Sequence, residues 1–139
     1  MTMAPGEKLV NMKHLIFVLL VFTSSKSFSQ KEGDAIIGRW INVPKQNTII
    51  EVYKFNSEYR GKIVWTKTPD KKKPIGYMIL QKLEYDPVRK FWDNGEIKVP
   101  NSGITYDATA RIKPDGLLEV LGYLGFKFLG KKKSFRKVK

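Results

Sequence analysis

The stretch TIIEVYKFNSEYRGKIVWT, Thr48 to Thr66, decides the fold class. Both of its halves, Thr48 to Asn56 and Glu58 to Thr66, are rich in β-branched and aromatic residues and alternate in polarity with a period of two. That period is the mark of a strand with one face in a core. Asn56-Ser57 between the halves is a connection tight enough to return one strand directly alongside the other, so the unit reads as a β-hairpin.

Working outward, the same period recurs on both sides. Eight strands are predicted: Ile37 to Val43, Thr48 to Asn56, Glu58 to Thr66, Gly76 to Tyr85, Lys90 to Val99, Gly103 to Ile112, Leu117 to Tyr123 and Phe126 to Val138. Asp86-Pro87, Pro100-Asn101-Ser102-Gly103 and Pro114-Asp115-Gly116 supply the fixed or positive φ angles that turns need. The one long gap, Lys67 to Ile75, is rich in proline and lysine. No segment carries a convincing helical period. Short strands joined in order by tight turns make an antiparallel meander, which loses both edges by closing into a barrel; a sandwich is the alternative. An eight-stranded barrel has room inside for packed side chains or for one small ligand.

Alternation assigns Trp40, Tyr53, Phe55, Tyr59, Ile63, Trp65, Tyr77, Ile79, Leu83, Tyr106, Ala108, Ala110 and Ile112 to the interior. Arg60, Lys62, Lys82, Glu84, Asp107 and Arg111 fall on the outer face. The second strand is apolar on both faces, and the aromatic face is placed inside, which also turns Glu51 inward.

Residues 1 to 29 read as a secretory signal peptide. Lys8, Lys13 and His14 precede the apolar run Leu15 to Phe22, and a small-residue stretch follows, with Ser27 and Ser29 at the positions that a signal peptidase reads. The run is far shorter than the roughly 20 residues of a membrane-spanning helix. A single domain, residues 30 to 139, is expected to remain, exported to the periplasm or secreted. Met12 would also serve as a start. Cleavage removes three lysines and one glutamate, so the net charge of +13 becomes +11. Such a surface attracts anionic lipid, lipopolysaccharide or other polyanions, or simply keeps an exported protein dissolved. Export makes a nucleic-acid partner improbable. The runs Lys71 to Lys73 and Lys131 to Lys133 fit loop or edge positions, where lysine opposes edge-to-edge aggregation.

The chain has no cysteine, which excludes disulfides, thiolate ligands and cysteine nucleophiles. Its only histidine, His14, lies in the leader, so the domain has no imidazole for base catalysis or metal binding. No cofactor or metal is expected.

Gly38-Arg39-Trp40 on the first strand and Arg136 on the last resemble the signature of the lipocalin-like (calycin) barrels. That resemblance implies that Trp40 and Arg136 pack together to close one end. A similarity covering nearly the whole domain lies in Gly38-Arg39-Trp40, Tyr59 to Trp65, Lys73 to Gly76, Trp92 to Ile97, Gly103 to Tyr106 and Gly122 to Gly125. These segments resemble the bacterial exported domain-of-unknown-function family 2147. The resemblance implies a lipocalin-like barrel in the cell envelope and no established activity. Val99-Pro100 stands where that family often has Asp-Pro, and Lys131 to Lys133 replace more usual polar and aromatic residues.

Candidate ligand contacts are the aromatics Trp40, Tyr53, Trp65, Trp92 and Tyr106, with Glu51 if it turns inward. Aromatic stripes in strands serve more often as core, and Trp92, on the most polar strand, is the one expected to be partly exposed. Acid–base chemistry would need Asp93 with Glu96, or Glu51 with Asp107, to converge, which their spacing does not require. Gly122 to Gly125 lacks the helix and lysine of a phosphate loop and fits a hairpin or bulge. The expected function is therefore non-enzymatic: a monomer holding a small apolar or amphipathic molecule, or an anionic envelope component. The alternative is an interaction module docking to an envelope protein through its lysine-rich loop and tail.

Overall fold

Eight antiparallel strands follow one another around a closed barrel in the computed structural model, which describes residues 30–68 and 74–139, Phe128 by its backbone only. They are β1 (Gly38–Val43), β2 (Thr48–Phe55), β3 (Glu58–Thr66), β4 (Met78–Asp86), β5 (Phe91–Lys98), β6 (Thr105–Ile112), β7 (Leu118–Tyr123) and β8 (Lys131–Lys137). β8 pairs with β1, Trp40 opposite Lys137 and Val43 opposite Ser134, which closes the cylinder. All-β class, strand number and meander order are as the periodicity predicts. The predicted leader, residues 1–29, and the run Lys71 to Lys73 lie outside the described residues.

The last strand is shorter than expected. After β7 the chain leaves the wall, makes a short 3-10 turn at Lys127–Leu129 and rejoins at Lys131. Gly130 allows the return: a Cβ there would lie 2.7 Å from the Gly122 carbonyl oxygen, too close for any side chain.

Three irregularities reset which face is buried. β2 and β3 pair Ile50 with Ile63 but Ile49 with Trp65, so β3 carries one extra residue and Trp65 turns outward, 42% exposed. In β4, Lys82 has φ +62°, and both Leu80 and Leu83 point into the core. The Glu58 carboxylate holds this kink, accepting from the Lys82 amide at 2.6 Å and from Arg60 Nη2 at 2.8 Å. In β5 the register shifts between Trp92 and Gly95, where a Cβ would meet Leu83 Cδ2 at 2.5 Å.

β2 buries its other face from the one expected. Thr48, Ile50 and Val52 are inside, and Glu51, Tyr53 and Phe55 are not. The physical reason is charge. Outside, Glu51 meets Arg39 Nε at 2.9 Å and Lys62 Nζ at 3.9 Å, whereas inside it would lose both its hydration and these two partners. Tyr53 and Phe55 are covered on the outer wall by cations instead, Lys62 Nζ at 5.4 Å and the Arg60 guanidinium at 3.9 Å from their ring centres.

Candidate ligand-binding site

The barrel has two unlike ends. At one lie the start of β1, the end of β8 and the hairpins β2–β3, β4–β5 and β6–β7. The residues just before β1 plug this end. Gly33 leads into a 3-10 turn, Asp34–Ile36, and Ile36 is fully buried among the core side chains. Three aromatic residues bond to this plug. Trp40 Nε1 donates to the Ile36 carbonyl at 2.9 Å, Trp92 Nε1 donates to the Gly33 carbonyl at 3.1 Å, and the Tyr59 hydroxyl donates to Asp34 Oδ1 at 2.7 Å. Burial, reinforced by the Asp34 carboxylate, pushes the Tyr59 phenol well above its usual range.

Trp92, expected to be partly exposed, is only 3% exposed, and its indole N–H finds a carbonyl in the plug. The expected closure by Arg136 is also corrected. Arg136 pairs with Ile41 and is exposed, while Lys137, opposite Trp40, places Nζ 5.4 Å over the indole. A one-residue change of parity in β8 transfers the cation–π contact from arginine to the neighbouring lysine.

At the other end the interior is hollow, with a cavity of about 380 Å³. Ile50 of β2, Ile79 and Leu80 of β4, Ile97 of β5, Tyr106 of β6, Val120 and Gly122 of β7 and Phe135 of β8 line it. Gly122 keeps the wall open, since a Cβ there would approach Ile97 Cδ1 at 3.3 Å. Leu124 and Leu129, 60% and 69% exposed, form an apolar rim with Val99. Lys131 and Lys133 complete the lip on the inward-facing register of β8. This is a concave, mainly apolar space near the lower end of the roughly 300–1,000 Å³ usual for small-ligand sites.

Of the six residues singled out from the sequence, Tyr106 alone lines the cavity. Trp40 and Trp92 belong to the floor, and Glu51, Tyr53 and Trp65 lie on the outer wall. The candidate carboxylates do not line the cavity either. Glu96 bonds to Gln81 and Lys82, Asp93 meets Lys127 at 3.9 Å, and Glu51 has Arg39. Glu96 pairs in register with Asp107, but on the outside of the sheet. The bonds from Gln81 and Lys82 hold the Glu96 carboxyl below its ordinary value.

Sequence reasoning missed the aliphatic lining and the two lip lysines. The available signal was the alternation Lys131, Lys133, Phe135, Lys137, which places three lysines on the face that Phe135 shows to be inward.

A family model described as "Uncharacterized protein conserved in bacteria (DUF2147)" matches residues 38–137, from the first residue of β1 to the last of β8. No curated protein matches the chain. Among solved structures, the chain is similar to protein HP1028 of Helicobacter pylori, described as belonging to the lipocalin family. The identity is 16% and the TM-score 0.61, over 75% of this chain and 83% of that one. At that identity the likeness speaks for the fold, a lipocalin-like barrel.

Proposed function

We propose that this chain, which belongs to the bacterial family DUF2147, is an exported, non-enzymatic binding protein that holds one small apolar or amphipathic molecule in the open half of its barrel. The observation that carries the reading is the 380 Å³ cavity, lined by aliphatic side chains and closed below by a hydrogen-bonded plug. A barrel that needed its interior only for stability would gain by filling it, because unfilled apolar space forfeits packing. The plug and the three aromatics bonded to it supply a fixed floor, so a ligand enters without reorganising the core.

An anionic envelope component bound on the outer wall is the weaker of the two ligand readings. Most outer cations named above already face carboxylates or aromatic rings. Export remains part of the proposal and rests on the leader pattern of residues 1 to 29.

Native mass spectrometry of protein purified from its own cell envelope, followed by denaturing extraction, tests the function. The expected result is a retained small apolar or amphipathic molecule released on unfolding. A ligand-free mass, together with no binding of any single-chain amphiphile in solution, would overturn it.

A further inference from the structure

We propose that Lys131 and Lys133 form a head-group site for the anionic end of a single-chain amphiphile, a carboxylate or phosphate monoester whose tail fills the cavity. The inference rests on the reading of that cavity as a ligand site and adds the chemistry of the ligand.

Parity in β8 separates its lysines into two kinds. Lys132 faces outward, 3.8 Å from Glu119 Oε1, a carboxylate that Arg111 Nε also contacts at 3.2 Å. Lys131 and Lys133 lie opposite Gly122 and Val120, both cavity residues, and line the cavity themselves. Among the described residues neither has an ion-pair partner, and the cavity lining includes no carboxylate. Alternate residues on a strand are roughly 7 Å apart, so two ammonium groups share the lip, and among the described residues no counter-charge lines it with them. Like charges at that spacing repel each other. An anion between them would relieve that repulsion and leave its tail against Val120 and Phe135.

Size sets the tail. At the roughly 30 Å³ that a water-sized group occupies, 380 Å³ holds about a dozen heavy atoms, the size of a ten-carbon carboxylate.

Calorimetric titration of the full-length chain at neutral pH and low salt, with decanoate, decyl phosphate, decanol and decyltrimethylammonium, tests the site. At least one of the two anions is expected to bind about tenfold or more tightly than decanol, and the cation most weakly, with the differences shrinking as salt is added. The better anion identifies the head as carboxylate or phosphate. The double variant Lys131→Ala, Lys133→Ala is expected to bring the anions level with decanol, and its circular dichroism spectrum and thermal midpoint, matching those of the unaltered chain, show that the barrel is intact. Lys132→Ala should keep the preference. Equal binding of decanol and both anions by the unaltered chain would overturn the head-group site but leave the cavity reading standing. So would a preference that survives in the double variant. Failure of all four probes to bind would overturn both.

Discussion

The Tyr59 hydroxyl donates to Asp34 Oδ1 at 2.7 Å, tying the third strand to the residues that precede the first. The bond is one of three that hold the plug in the floor, and Lys54 Nζ supports Asp34 from outside at 3.2 Å. Tyr59→Phe keeps the ring and removes the donor, and Asp34 keeps Lys54. The expected loss is therefore about 1–2 kcal/mol in urea unfolding, without loss of the fold.

The same phenol gives a signature at high pH. Burial first, then the bond to Asp34, raises the folded value above the ordinary 10.0. Tyr59 therefore contributes stability that is complete below pH 10 and is lost as pH rises toward the folded value. In an ultraviolet titration of the folded chain, fewer than the six tyrosines should ionise reversibly. The shortfall should drop by one in Tyr59→Phe. An unchanged shortfall would place the resistant tyrosine elsewhere.

Acid acts at the β4 kink. The bond from Arg60 comes first among the causes that act on the Glu58 carboxyl and lowers its pKa; burial opposes it, and the Lys82 amide and the two nearby cations add to the lowering. A lowered folded pKa contributes stability present above the ordinary 4.5 and lost as pH falls through the folded value. Denaturant midpoints measured from neutral pH down to pH 3 should fall more steeply for the unaltered chain than for Glu58→Gln. Parallel curves would remove Glu58 from the acid response.

Filling the cavity should separate binding from folding. Gly122→Leu adds a side chain whose Cβ meets only the flexible Ile97 Cδ1 at 3.3 Å and the Tyr106 Cβ at 3.8 Å. Decanol affinity is expected to drop at least tenfold while the thermal midpoint stays within a few degrees. Gly95→Ala is the contrast: its Cβ would lie 2.5 Å from Leu83 Cδ2 and 3.1 Å from the Ala108 carbonyl, so it should lower the midpoint clearly.

Period two sufficed to read the strands and their order, and it put Trp40 and Tyr59 inside, because alternation and turn chemistry are local properties of the chain. Faces were harder. One extra residue in β3 turned Trp65 out, and a positive φ at Lys82 put Leu80 beside Leu83. Neither leaves a trace in an alternating pattern. In β2 both faces are apolar, so the choice fell to Glu51 and its cations on neighbouring strands, Arg39 and Lys62, which pairing alone reveals. Two of the aromatics chosen as ligand contacts, Trp40 and Trp92, were claimed by a plug of four residues too short to carry any period. The site itself is built from aliphatic residues and two lysines, types that signal no chemistry until the barrel brings them together.

The ladder between β1 and β8 brings the two ends of the domain side by side, with the Val138 amide bonded to the Arg39 carbonyl at 2.8 Å. Every strand has two neighbours, so the lysines of β8 guard no free edge, and another chain can add to the sheet only after a ladder breaks. The barrel is then a ring in which the position of the break is arbitrary. A short glycine-rich joint from Lys139 to Gly33, with new ends opened in the β4–β5 turn at Val88, 88% exposed, should give a circular permutant that keeps floor and mouth intact.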